Sequence, residues 1–309
     1  MNRLRSERGQ AFVLMALGLG VMMGMAALAI DVGSWYRTDR RLQGTADASA
    51  LAGAQMLPGD PSGARSMAMT YAGRNGGDVA AGDIKIEKTF SANDTISVKA
   101  AKADPGFFSK VFGIDTVNIS ASARARVDSP KSARYVAPMV VSCDHDFIKN
   151  CDGNGHPKFG ESFGTKMLYD NMGAPGAFGM LNLSDKGGTP GTSEQADWIL
   201  KGFDKFLDTG MYPSNPGAKF SSAQIQGALE ARLGTELLFP VFRSLSGTGS
   251  NAEYEIIGWI GFHLVGYKMH GHNAELEGYF TEYIAHGILA SSGSGIPPSF
   301  GVKSIELIG

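Results

Sequence analysis

The sequence predicts an α+β protein: an N-terminal transmembrane and stalk helix, a small αββαβ head, and a distal antiparallel β barrel or sandwich with two helices. Three observations predict it. Residues Ala11 to Ile30 contain no charged side chain. Beyond Pro58 and Pro61, after a short helical pattern near Ala64 to Gly73, the hydrophobic period becomes alternating. The C-terminal half then carries several long strand patterns with two capped helical patterns among them.

The chain has 309 residues, room for an anchor and two modest domains at roughly 100–200 residues each. The expected layout is 1–57 anchor and extended helix, 58–127 membrane-proximal α+β domain, 128–134 linker and 135–309 distal β-rich domain. A net charge of −2 argues against nucleic acid as a partner. Charged residues are 19% of the chain, below the roughly 25% of a typical soluble protein. The 42 glycines are about twice the usual share. Low charge with abundant glycine points to an exported, turn-rich β protein rather than a cytosolic enzyme.

Ala11 to Ile30 is the transmembrane candidate and the lipid bilayer the first expected partner. Roughly 20 apolar residues at about 1.5 Å each span a hydrocarbon core. Arg3, Arg5 and Arg8 precede the run, so the N-terminus is expected to stay in the cytoplasm and the rest to lie outside, in a single pass. Arg37, Arg40 and Arg41 follow it and oppose that orientation, although Asp31 and Asp39 lie among them. Trp35 and Tyr36 fall where an interfacial aromatic belt belongs. A cleaved signal peptide is the rival, with Ala27-Leu28-Ala29 as a mimic of a cleavage site. The apolar run exceeds the 7–15 residues usual in such a peptide, which favours a retained anchor.

From Thr38 to Leu57 the chain lacks proline and is rich in helix formers. Leu42, Ala46, Ser49, Ala50, Gly53 and either Met56 or Leu57 recur near helical spacing. So small-sided a stripe permits close approach of another helix, and a homo-oligomer through the N-terminal helix is expected on that ground. If continuous with the anchor, the helix runs about 45 residues, or roughly 70 Å.

A short helix is expected near Ala64 to Gly73. Ile84, Ile86 and Phe90 share one parity, and Ile96, Val98 and Ala100 share another across an Asn93-Asp94 turn, which reads as a hairpin. Pro105 to Phe112 reads as one or two helical turns. From Val117 to Val127 apolar and polar residues alternate strictly, the mark of a strand with one wet face.

Specific landmarks lie between Arg8 and Gln55: Arg8-Gly9-Gln10, the apolar run, Ala29-Ile30-Asp31-Val32-Gly33, Arg41-Leu42-Gln43 and Ala46-Asp47-Ala48-Ser49-Ala50-Leu51-Ala52. Together they resemble the N-terminal domain of the TadE/TadG-like Flp pilus-assembly family. The resemblance implies a cytoplasmic-membrane anchor with an exported C-terminal part. It also implies work in pilus assembly, adhesion or secretion beside other Tad/Flp machinery proteins. Prepilins of this class carry glutamate five residues after the cleavage glycine. Counting from Gly9, that position is Leu14, so the anchored TadG-like branch fits better than a processed pilin. Some relatives there carry a von Willebrand A domain with an Asp-x-Ser-x-Ser metal site, a motif this sequence lacks.

In the distal part, Tyr135 to Ser142 and Phe178 to Leu183 read as strands. Thr192 or Ser193 is expected to cap a helix through about Leu207, with Ala196, Ile199, Leu200, Phe203 and Phe206 on one face. Ser221 or Ser222 caps a second, ending at Gly234 with Ile225, Leu229 and Leu233 inward. Further strands are expected at Glu236–Arg243, Glu253–Lys268, Glu275–Ala285 and Val302–Ile308. In the second of these, Ile256, Ile260, Phe262 and Leu264 oppose Ile257, Trp259, Val265 and Tyr267, so it should be a central, two-sided strand.

Cys143 and Cys151 are the two cysteines, close together in one expected loop. In an exported chain such a pair suggests a disulfide. Free thiols, or zinc held by Cys143, His145, Cys151 and His156, are the alternatives. Asp144, Asp146, Asp152 and Asn154 surround the loop and suit calcium, although Asp152-Gly153-Asn154-Gly155 also reads as a plain turn. Gly160-Glu161-Ser162-Phe163-Gly164 matches the hydrolase elbow pattern but lacks a strand pattern before it, and the histidines His263, His270, His272 and His286 are dispersed. No catalytic, cofactor-binding or metal-binding residue is assigned, with calcium kept as an alternative. Two function classes remain in view: a structural assembly subunit, and a surface-displayed binding module for calcium, glycan or a host surface.

Overall fold

A computed structural model describes residues 8–152, 155, 157–167, 179–184, 188–215, 220–247, 251–270, 273–285, 287–289 and 299–308. The chain divides into two compact units, Met1–Arg126 with Glu306–Gly309, and Val127–Ile305.

The first unit is built on one helix, α1 (Arg8–Ala54), of 47 residues. α2 (Pro61–Arg74) begins where Asp60 accepts the Gly63 N–H and Pro61 occupies the first turn. Its buried face is Ala64, Ala68 and Ala72. These alanines meet the small stripe of α1. A Cβ on Gly53 would lie 2.9 Å from the Ala64 carbonyl oxygen and 3.2 Å from the Ala68 Cβ. The helix that the stripe invites is therefore α2 of the same chain.

Three antiparallel strands follow: β1 (Ile84–Glu87), β2 (Thr95–Pro105) and β3 (Thr116–Asp128). Ile84 pairs with Val98 and Ile86 with Ile96, the predicted hairpin parity. Ile96, Val98 and Ala100 are buried, and so are Ala121, Ala123 and Ala125 of β3. Phe90 does not extend β1 as expected. Asp94 collects the N–H groups of Thr89, Phe90 and Ser91 at 2.6–2.8 Å, which curls the chain out of the strand. The expected helical turns after Pro105 are a short 3-10 helix, Ser109–Phe112. The chain's end closes this unit, with the Ile308 N–H donating to the Arg124 carbonyl at 2.9 Å.

The second unit contains, in order, β4 (Pro130–Ala133), β5 (Val141–Ser142), β6 (Phe163–Met167), α3 (Thr192–Lys201), β7 (Leu207–Asp208), β8 (Gly210–Pro213), α4 (Ala223–Ala231), β9 (Glu236–Ser246), β10 (Glu253–His270), β11 (Asn273–Thr281), β12 (Tyr283–Ile284), β13 (Gly287–Leu289) and all but the last two residues of β14 (Val302–Leu307). The main sheet runs β5-β9-β10-β11-β6, with β8 also on β10. A smaller sheet runs β13-β4-β7, and β12 pairs β14 in parallel.

β10 is the two-sided central strand expected of it, but its faces differ from a simple alternation. Register shifts lie between Tyr254 and Ile256 and between Ile256 and Gly258. Across them, Ile257 joins Ile260, Phe262 and Leu264 in one core, while Ile256 joins Tyr254 and Trp259 in the other. An extra residue at a bulge swaps the faces. Val265, expected to be inward, is exposed.

Four other expectations are corrected. The expected linker 128–134 contains β4, which pairs with β7 and β13 and accepts the Trp259 Nε1–H at the Pro130 carbonyl, 3.2 Å away. Tyr135 to Ser142 reduces to single bridges at Val136 and Met139 before the two-residue β5; Pro138 has no N–H to give a ladder. In the expected strand at 178–183, Met180 and Leu181 form bridges, and Phe178 lies outside the described residues. α3 is capped by Gly191 without a side-chain bond and stops at Lys201, because Gly202 turns to φ 76° and carries Phe203 and Phe206 off the helix. Ser222 does cap α4, accepting the Ile225 N–H.

Candidate membrane-anchoring site

The two halves of α1 have opposite surroundings. The apolar stretch from Ala11 is not buried in the protein, and the helix is long and apolar enough to cross a membrane. Phe12, Leu14, Met15, Leu17, Met22 and Met25 all stand exposed. Gly18, Gly20 and Gly24 have nothing within 4 Å of an added Cβ. In water so large an apolar surface is costly, at about 25 cal/mol per Å². Arg3 and Arg5 lie outside the described residues, as does the side chain of Arg8 at the helix start.

From Leu42 onward the helix is core. Leu42, Ala46, Ser49, Ala50 and Ala54 are fully buried. Polar ties stitch this half to the head. Thr38 donates to Asp104 at 2.8 Å, Arg41 pairs with Asp78 at 3.0 Å, and the Thr45 hydroxyl donates to the Asn75 carbonyl at 2.8 Å.

The change of surroundings begins at Asp31, the first charged residue after Ile30. Its carboxylate is 0% exposed. It accepts the backbone N–H groups of Phe107, Phe108 and Ser109 at 3.1, 2.9 and 2.7 Å. Phe107 and Phe108 lead into the 3-10 helix and Ser109 is its first residue, whose N–H has no partner inside it. Three bonds to an ionised acceptor are of the stronger kind. The turn is tight: a Cβ on Gly106 would meet the Ser109 side chain and the Ile114 carbonyl oxygen, and Gly113 has φ 77°. Neither Asp31 as an acceptor nor the 107–109 segment as its partner was visible in the sequence. A Phe-Phe pair between glycines was the available signal.

A family model described as putative Flp pilus-assembly TadE/G-like matches residues 9–56. Over that stretch the chain is similar to a Tad domain. The match covers α1, both the exposed apolar half and the half buried against α2 and β2. No curated protein and no solved structure matches the chain.

Outside the matched residues, Cys143 and Cys151 form a disulfide, with Cα atoms 4.9 Å apart. The loop is held to β9: the Cys143 N–H donates to the Phe242 carbonyl at 2.9 Å, and the Arg243 guanidinium donates to the Cys151 carbonyl at 3.1 Å. With the sulfurs joined, neither is a thiolate for zinc. His145 Nδ1 accepts the Phe147 N–H at 3.3 Å, and its ring lies against Phe163 and Phe280. Burial pushes the His145 pKa below its usual value, and Lys149 adds to that, against the raising effect of Asp146. His156 and Asn154 lie outside the described residues. Among the described residues, Asp144 has a ligand atom within 4.8 Å of both cysteines, but Asp146 and Asp152 do not join that group. Asp146 instead pairs with Lys149 at 3.2 Å.

Ser162 is exposed and followed directly by β6, an end strand of the sheet. The elbow pattern requires the reverse, a strand before the serine and a helix after it. His263 pairs with Glu236 at 3.1 Å and stacks on Tyr279. The His270 backbone lies opposite Asn273 in the β10–β11 register, and His272 and His286 lie outside the described residues. An open groove beside α3 is lined by Tyr135, Asp197, Trp198, Lys201, Phe203 and Asp204.

Proposed function

We propose that this protein is a structural component of Tad/Flp pilus assembly or tight-adherence secretion, held in the cytoplasmic membrane by one pass. In this reading the N-terminus stays in the cytoplasm and both folded units lie outside. The observation that carries it is the Tad-family match on a helix whose first half offers an unaccompanied apolar surface of membrane-spanning length. The disulfide supports export, because such bonds persist in oxidising compartments. The role is to fix the exported units to the membrane beside the pilus machinery; the chemistry is packing and anchoring.

The test is purification of the full-length protein from membranes of cells expressing the pilus system, with identification of what accompanies it. Co-purification of other pilus proteins, lost on replacing residues 9–56 with an unrelated transmembrane helix, is the expected result. Alkaline phosphatase fused after Gly309 should be active. Recovery of the full-length protein in the soluble cytoplasmic fraction would overturn the reading.

A further inference from the structure

We infer that the segment Pro105–Ile114 is a second membrane-contacting element, which enters the headgroup layer of the same bilayer that α1 crosses. The inference rests on the anchor reading of Ala11 to Ile30.

Phe107, Phe108, Val111, Phe112 and Ile114 are between 45% and 83% exposed. Elsewhere in the first unit, among the described residues beyond α1, the remaining exposed large apolar side chains are Met69 and Leu307, at 37% and 40%. Five such residues in one short loop form a patch rather than ordinary surface scatter. The patch has a fixed level. Asp31 holds the loop by three N–H groups, and Asp31 directly follows the apolar stretch. On an α-helix one residue is about 1.5 Å of rise, so the loop is tied to α1 within one turn of where the uncharged stretch ends. Its apolar surface thus continues the apolar surface of the helix.

The backbone suits an apolar layer. A segment entering lipid must satisfy its own N–H groups. Here Phe107, Phe108 and Ser109 donate to Asp31. The N–H groups of Gly106, Val111, Gly113 and Ile114 donate to the carbonyls of Asp115, Phe108, Lys110 and Ser109. The Ser109 hydroxyl donates to the Ile114 carbonyl at 3.2 Å. Lys110, exposed among the phenylalanines, has a stem long enough to reach lipid phosphates while its neighbours go deeper. Phenylalanine on the apolar face of an interfacial segment suits this depth. A lipid surface therefore fits better than an aqueous protein partner.

The full-length protein is reconstituted in phosphatidylcholine–phosphatidylglycerol vesicles with and without brominated acyl chains. Phe112→Trp and, separately, Val111→Trp add a fluorophore to the loop; Met69→Trp is the control, and wild-type emission is subtracted. The expected result is blue-shifted added emission that brominated chains quench by about twofold and aqueous iodide does not reach. Met69→Trp should behave oppositely. Quenching of both loop tryptophans by iodide but not by brominated lipid overturns the inference. Shielding from both quenchers also overturns it, by placing the loop against protein. Resistance of the same samples to alkaline carbonate reads the anchor separately: extraction refutes the anchor and the loop contact together, whereas resistance with iodide quenching refutes the loop contact alone.

Discussion

Asp31 accepts the backbone N–H of Ser109 at 2.7 Å across 78 positions of sequence. An acidic residue after an apolar run is commonly the first group to meet water. Here it is fully buried and serves as the acceptor for a turn formed far downstream. Asp31→Ala should leave three backbone donors without an acceptor, and Asp31→Asn should keep a weaker, neutral one. Chymotrypsin cleavage after Phe107, Phe108 and Phe112 in detergent solution should accelerate on the order of tenfold for alanine and less for asparagine. Membrane retention should not change, because Ala11 to Ile30 is untouched. Equal cleavage of all three proteins would refute the seat.

Asp94 gives the first unit an acid sensitivity. Burial alone would raise its pKa, but the N–H groups of Thr89, Ser91 and Phe90 and the Thr95 hydroxyl together hold it below the usual value. A depressed carboxyl contributes stability that is present above the unfolded pKa of about 3.9 and is lost as pH falls through the lower folded value. Thermal melts followed by circular dichroism from pH 6 to pH 3 should show wild type losing more stability than Asp94→Asn. At neutral pH, Asp94→Ala should cost about 1–3 kcal/mol, from donors left unpaired. A pH dependence identical in wild type and Asp94→Asn would remove Asp94 from this role.

Two glycines of α1 should respond in opposite ways. Gly53 faces the Ala64 carbonyl, Ala68 and Ile96, whereas Gly44 has nothing within 4 Å. Gly53→Val should destabilise by about 1–3 kcal/mol through overpacking. Gly44→Ala should stabilise by roughly 0.5–1 kcal/mol through lower chain entropy in the helix. Melting of both variants in the same detergent decides it, and matching shifts would contradict the α1–α2 packing.

The disulfide closes a loop with a sequence separation of 8. Cys143→Ser with Cys151→Ser should lower stability by about 2–3 kcal/mol on the chain-entropy account. Urea unfolding with and without reductant gives the value. Protein taken from the exported fraction should bind no maleimide until reduced; immediate labelling of both cysteines would argue against oxidation in place.

Much of the layout was legible because it rests on period and composition. The apolar run needs no partner to be recognised, and the parity of Ile84, Ile86, Ile96 and Val98 fixes a hairpin locally. The cysteine pair was readable from proximity. What escaped depends on contacts distant in sequence or on one-residue irregularities. The bulges beside Ile256 exchange the faces of β10, although the residues themselves still alternate. The stripe at Ala46, Ala50 and Gly53 signals close helix packing but not that α2 supplies it. Asp31 looked like one more flanking charge, since nothing local connects it to a turn near Phe108.

α1 has a mechanical consequence. One uninterrupted hydrogen-bond ladder runs from Arg8 to Ala54, so the exposed stretch and the core of the first unit share a single rod. No slack segment lies between them to stretch first. Tension applied to the folded head would reach the apolar stretch directly, and a twist or axial displacement of the rod would carry the head along with it.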